Sequence, residues 1–153
     1  MTNKPFTFLR IGAPFGHGFL AGDITVAGER YALIVAPKAE GEKLRPAYKL
    51  RDRGTPDNTG SDDDGLANSE RINNSNHPAA QYCRSLRIGG ADDWALPSRD
   101  EFAEIERNLG PSRTNTPEAF RTGGSEAYEP TWYWTSTELA PDASNAWIQD
   151  LRY

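Results

Sequence analysis

The sequence predicts an α+β domain, and three observations carry that prediction. An early pair of apolar segments reads as a hairpin, two helical patterns follow, and aromatic strand-like segments come last. A parallel sheet would need helices alternating regularly with strands, so this order fits an antiparallel α+β arrangement. The late strands are expected to return and pair with the first, closing both ends of the chain around one core.

The hairpin lies in residues 18–36, GFLAGDITVAGERYALIVA, where Ile24 and Val26 alternate with polar residues and residues 31–35 run apolar. Gly28-Glu29 separates the two segments, and the second strand is expected to be the more buried. Pro37 ends it. The segment from there to Gly65 is rich in Lys, Arg, Asp, Gly, Pro and Asn and reads as a long, partly irregular surface loop. Upstream, GAPFGHG at residues 12–18 lacks both the Lys-Ser/Thr of a phosphate-binding loop and a buried strand before it. It reads as a flexible entry, which makes residues 1–17 an entry or attachment segment and residues 18–153 the domain.

Helical character begins near Asp64-Gly65 and is clearest after Pro78, which suits a first helical turn. Ala79, Ala80, Cys83, Leu86 and Arg87 follow at three- and four-residue spacings, with Gly89-Gly90 as a left-handed terminator. The next helix is better marked. Ser98 stands three residues before Glu101, the capping-box spacing, and Phe102, Ile105 and Leu109 form one apolar face that Gly110-Pro111 stops. After a Thr/Pro/Gly-rich connection, residues 132–137 and 146–151 read as aromatic strands bounded by Pro141-Asp142 and Ser144-Asn145.

A chain of 153 residues fits one domain, which at this size buries roughly two thirds of the surface its unfolded chain exposes. Its net charge of -5 and pI near 5.1 argue against nucleic acid or an anionic membrane as partner. Only residues 44–53 and 82–87 are locally basic. No apolar run approaches the ~20 residues of a membrane helix, and the start, MTNKPFTFLRIG, lacks the apolar stretch of a secretory signal. Synthesis in a host cytoplasm is expected, with any extracellular role, at a virion tail or surface, reached by assembly into a particle released by lysis.

Candidate chemistry is sparse. The single cysteine, Cys83, excludes an internal disulfide and, beside Tyr82 and Leu86, reads as a small buried hydrophobe. Residues 61–65, SDDDG, gather carboxylates as a calcium loop does, yet lack the Asp-x-Asp-x-Asp-Gly spacing and its distal Glu, so they read as a solvated acidic turn with Asp64 as N-cap. Glu129-Pro130-Thr131 only partly matches the triplets of calcium-dependent sugar sites. His17 and His77 are isolated from metal or nucleophile partners. Glu101, Glu104 and Glu106 read as the solvent side of their helix, with Asp100 and Glu101 also suiting its positive start. No catalytic residue, metal or cofactor is expected.

Three motifs in order carry a resemblance: Asp93-Trp94-Ala95-Leu96-Pro97-Ser98, Tyr133-Trp134-Thr135-Ser136-Thr137 and Ala146-Trp147. They are similar to those of the bacterial and phage family known as the Lcl C-terminal domain, with Thr135 where that family more often has serine. ALIVAPKAEGE at residues 32–42 and DGLANS at residues 64–69 resemble its phage-encoded branch, so the resemblance covers most of the chain from about Gly18. It implies a C-type-lectin-like fold, as in phage receptor-binding proteins and the variable proteins of diversity-generating retroelements, where the last third of the chain faces the ligand. Trp94, Leu96, Pro97, Trp134 and Trp147 would be scaffold, the tryptophans in the core and each needing a partner for its indole N–H.

On that reading Ala146 and Trp147 hold the scaffold, while Glu138, Asp142, Ser144, Asn145, Gln149, Asp150, Arg152 and Tyr153 point outward as adaptable recognition groups. The same stretch also reads as an ordinary hydrophilic loop and strand edge. The implied protein is non-enzymatic and virion-borne, tail-associated or decorating, and binds a host-surface protein or glycan beside other virion proteins. By analogy it is a homo-oligomer, a trimer, with neither nucleic acid nor membrane insertion. The alternative is a cytoplasmic interaction protein that inhibits a host factor. A weaker alternative is an enzyme related to the formylglycine-generating branch of the same fold, for which Cys83 lies in a helix without a second cysteine. Family members usually continue after alanine-tryptophan into a further loop and strand, whereas this sequence ends at Arg152-Tyr153. Either its natural end is missing, a neighbour supplies the last strand, or the strand is absent and leaves an edge that favours association.

Overall fold

A computed structural model describes residues 10–43, 46–50, 57–139 and 145–152. It is a mixed α+β structure with two small antiparallel sheets among the described residues. Strands β1 (Pro14–Phe15), β2 (Gly18–Val26) and β3 (Glu29–Val35) form one, in that order, and β4 (Trp132–Glu138) pairs with β5 (Ala146–Asp150) in the other. Between them lie α1 (Lys38–Gly41), α2 (Gly65–Arg71), α3 (Pro78–Ser85), α4 (Arg99–Leu109) and a 3₁₀ turn at Glu118–Phe120.

The late strands do not hydrogen-bond to the first ones, contrary to expectation. The two sheets instead meet through side chains: Leu151, just past β5, packs with Ala21 of β2, Val35 of β3 and Phe102, Ile105 and Leu109 of α4. A second apolar cluster joins Tyr48, Ile72, Ala79, Ala80, Leu96 and Ala146. The ribbon of β4 and β5 serves both clusters, because alternate side chains leave opposite faces: Tyr133 packs on the first, Trp134 and Ala146 on the second.

Several local expectations change for identifiable reasons. The hairpin turn is Ala27-Gly28, both at positive φ, with Val26 opposite Glu29. Its first strand is the more buried, since β2 lies against α4 while Glu29, Arg30 and Tyr31 of β3 face solvent. A bulge between Leu20 and Gly22 turns the β2 backbone toward α4, where the Asn108 side-chain amide donates to the Ala21 carbonyl at 2.8 Å. Gly22 holds φ at +147°, a conformation that side chains with a Cβ rarely adopt, and a Cβ there would also lie 2.9 Å from Glu104 Cγ. The GAPFGHG segment, expected to be a flexible entry, is a tight hairpin in which Pro14 pairs with Phe19 and Phe15 with Gly18.

The loop expected between Pro37 and Gly65 contains α1 and contributes Tyr48, 1% exposed, to the core. Helix α3 stops at Ser85, four residues before the glycines read as its terminator; Gly89 and Gly90, both at positive φ, turn the chain between the bridged residues Ile88 and Ala91. The N-caps at Asp64 and Ser98 are found as expected, Asp64 accepting from the Ala67 N–H and Ser98 forming the full capping box with Glu101.

The glutamates of α4 are not its solvent side. Glu101 Oε1 accepts the backbone N–H of both Ser98 (2.7 Å) and Gly65 (3.0 Å), joining the starts of α2 and α4. Glu106 is buried and takes Arg113 in a two-point pair at 2.8 and 2.6 Å. Glu104 bonds Arg107 and Asn108.

Ser98→Ala removes the cap of α4 and should cost about 1–2 kcal/mol in urea unfolding. Burial raises the Glu101 carboxyl above its ordinary range, so its contribution to stability is greatest when protonated and falls as pH rises through its folded titration. Glu101→Gln keeps an acceptor without the charge. Unfolding midpoints of the two proteins should diverge in the variant's favour between pH 4 and 7, and a constant difference would refute this assignment.

Candidate functional site

The candidate surface is built on the β4–β5 ribbon. Trp132 stands opposite Asp150 and Trp134 opposite Ile148, so these four side chains share a face. Trp134 is partly buried against Tyr48, ring centroids 5.7 Å apart, and Trp132 meets Trp134 edge-on at 5.1 Å. Outward from that support the face is open, with Trp132 45% and Ile148 49% exposed. At its rim Arg152 folds back on Asp150, donating Nε at 2.9 Å and Nη2 at 2.5 Å. This pairing holds the Asp150 carboxyl down at about 2, so it remains an anion under any ordinary condition.

The opposite face carries Tyr133, Gln149 and Trp147. Tyr133 donates its hydroxyl to Glu42 at 2.7 Å and packs on Phe102. Trp147 is 37% exposed, with the Arg99 guanidinium 3.9 Å over its ring. It is therefore a surface residue in a cation–π contact, not the core anchor expected. Ala146, its neighbour, is buried. Neighbours in a strand point to opposite faces, and Trp147 lies on the face of Tyr133 at a position the first cluster does not cover.

Beyond Trp134 the ribbon bulges, four steps along β4 from Trp134 to Glu138 matching two along β5 from Ile148 to Ala146. Thr135, Ser136 and Thr137 fill the bulge and are buried. They engage polar partners on both sides: Thr135 donates to the Trp147 carbonyl, the Ser136 N–H to the Pro97 carbonyl, and the Thr137 hydroxyl to the Ser61 carbonyl. Leu96 is buried and Pro97 lies against this bulge, as scaffold residues should. Trp94 is half-buried, and its indole nitrogen has no hydrogen-bond partner among the described residues, against the expectation of one.

The residues expected to face a ligand are thus only partly brought together. Gln149, Asp150 and Arg152 lie along the ribbon, with Arg152 the most open. Asn145 is half-buried and its carbonyl accepts the Leu139 N–H. Glu138 does not point freely outward, since its carboxylate accepts the Asp57 N–H at 2.6 Å. Asp142, Ser144 and Tyr153 lie outside the described residues. The most exposed apolar side chains of the ribbon, Trp132 and Ile148, were not singled out by sequence; the Trp-x-Trp spacing of Trp132 and Trp134 was the available signal, as it puts both rings on one face.

The acidic residues 61–65 act structurally. The Ser61 hydroxyl accepts the Asp64 N–H, the Ser61 carbonyl is held by Asn68 and Thr137, and the Asp62 carbonyl accepts the Asp100 N–H. Among the described residues no cluster of three or more His, Cys, Asp or Glu is arranged to hold a metal. Nor does any helix have the length and apolar character to cross a membrane. Burial of Cys83, which packs on the second core cluster, pushes its thiol up to about 11.

Comparison with protein-family models, with curated proteins and with solved structures returns no match. What fold and site define together is a mixed α+β domain whose late ribbon presents exposed aromatic and aliphatic side chains over a buried polar and aromatic base.

A thiol near 11 is almost entirely protonated at neutral pH, and the thiolate is the reactive form. A disulfide reagent should therefore modify native Cys83 at pH 7.5 at least about tenfold more slowly than the urea-unfolded chain. Equal rates would show an accessible, reactive thiol.

Proposed function

We propose that this chain is a non-enzymatic phage virion protein, tail-associated or decorating, with a C-type-lectin-like domain that displays a binding surface for a host-surface protein or glycan. The observation that carries the reading is the face of Trp132, Ile148, Asp150 and Arg152. Large exposed apolar groups rimmed by a charged pair have the composition of a recognition patch, and the bulge and core beneath them are rigidly bonded. Trp132 rests on Trp134, which rests on the buried Tyr48, and an aromatic anchor supported in this way lowers the entropic cost of binding. The protonated state of the Cys83 thiol disfavours a nucleophilic role for it. The resemblance of three motifs to those of the Lcl C-terminal domain family supports the proposed fold, and a trimer is its oligomeric expectation by analogy.

Mass spectrometry of purified virions should find the protein in stoichiometric amounts. Its absence from virions, with abundance in infected cells, would instead favour inhibition of a host factor in the cytoplasm. In virions, Trp132→Ala and Ile148→Ala should each lower adsorption to host cells by about tenfold or more, since a central aromatic or aliphatic anchor is worth ~2 kcal/mol. Both side chains are already half in water, so the melting temperature should change little. Normal adsorption by both variants would remove this face from the binding site.

A further inference from the structure

We propose that His77 is a pH-operated latch that holds residues 46–50 and 57–59 against α3 and the end of β4, and thereby controls the carboxylate of Glu138. The latch goes beyond the ligand reading, and its residues lie outside the exposed face of Trp132 and Ile148, Tyr48 alone touching both groups.

His77 is buried at the N-cap of α3, its side chain enclosed by polar groups. Its Nδ1 lies 2.9 Å from Asn74 Oδ1 and its Nε2 lies 3.0 Å from Asp57 Oδ2. The Asn74 atom is identified as oxygen by the Asn76 N–H, which donates to it at 3.0 Å. Both ring nitrogens therefore face acceptors. An imidazolium has two N–H groups and satisfies both; a neutral imidazole has one and must turn a lone pair toward the other acceptor. Imidazole is the side chain whose charge ordinarily changes between about pH 5 and 8.

The groups around the ring make the second hydrogen bond matter. Lys49 Nζ reaches the same Asp57 oxygen at 2.9 Å, and both Lys49 and Asp57 are largely enclosed. Tyr48 meets the His77 ring edge-on at 5.8 Å, and its hydroxyl lies 3.4 Å from Thr59 Oγ1. On the far side of Asp57, its backbone N–H is the donor to Glu138 Oε2. When His77 is charged, Asp57 is held by two cations. When His77 is neutral, Lys49 remains as a cationic partner of Asp57, and one acceptor in a low-dielectric site is left opposed to a lone pair.

The backbone bonds that follow this choice are specific. The Leu50 N–H donates to the Asn76 carbonyl, the Ala79 N–H to the Ala47 carbonyl, and the Glu138 N–H to the Thr59 carbonyl. Low pH closes the latch and keeps Glu138 bound to the Asp57 N–H. Rising pH loosens it, and the carboxylate at the end of the ribbon becomes available.

Hydrogen exchange of the whole protein tests this, with each rate corrected for the intrinsic effect of pH. Between pH 5.5 and 8 the protection of the Leu50, Ala79 and Glu138 amides should fall about tenfold relative to Ile105 in α4, an opening local to the latch. His77→Gln should abolish that pH response, and His17→Gln should leave it intact. If His77→Gln does not fold, Asp57→Asn serves in its place and should abolish the response equally. Unchanged protection across the range, or the same response in the His77 and Asp57 variants, overturns the proposal.

Discussion

Glu101 is the joint on which the rest of the architecture depends. Its carboxylate oxygen accepts two backbone N–H groups, one from each of two helix starts, and so fixes α2 relative to α4. The extended segment before α4 extends the joint on both sides. Leu96 exchanges hydrogen bonds with the Ser69 hydroxyl, the Pro97 carbonyl accepts from Ser136, and the Arg99 N–H donates to Thr137. Buried polar groups are costly unless paired, and here pairing sets the position of the β4 bulge. Together with Asn68, which donates to the Ser136 hydroxyl, these bonds form a polar seam that joins β4 to the segment before α4 and to α2.

That seam explains the exposure of the ribbon. A two-stranded sheet has two faces, and each here covers a different cluster only along part of its length. Tyr133 and Leu151 are drawn to one cluster, Trp134 and Ala146 to the other, which leaves Trp132 and Ile148 beyond the cover of the second and Trp147 beyond that of the first. Isolated two-stranded ribbons are marginal in water. This one is held by its buried bulge and by Arg99 against Trp147. The proposed binding surface is thus where the core runs out, on strands that the core nevertheless orders.

The region around Tyr48 is where the chain departs furthest from its local appearance. A segment dominated by Lys, Arg, Asp and Pro sends one aromatic into the second cluster, and burial pushes that phenol up to about 12. Tyr48 then stands between His77 and Trp134, linking an enclosed ionic group to the aromatic support of the ribbon. The two features of functional interest, an exposed face and a titratable cluster beneath its neighbour, share this single side chain.

The helix starts and the late strands were legible in the sequence because their causes are local. A Ser three residues before a Glu, a Pro in a first turn and alternating aromatics act within one turn or one strand. Local rules missed the helix end at Ser85, where the glycines serve the next turn. Of the candidate site, Asp150 and Arg152 were found by position, whereas Trp132, Ile148, Tyr48 and His77 were not. Exposure of Trp132 and burial of Tyr48 depend on which distant residues cover them, and the His77 to Asp57 contact closes across twenty residues that include α2, beyond the reach of any local pattern. By itself the sequence determined the β2–β3 hairpin, the two late strands and the starts of α2, α3 and α4, but neither β1 nor α1. Only the tertiary structure decided which face of the ribbon stays open and which polar groups are buried together, because burial is a property of the partners a residue meets and not of the residue.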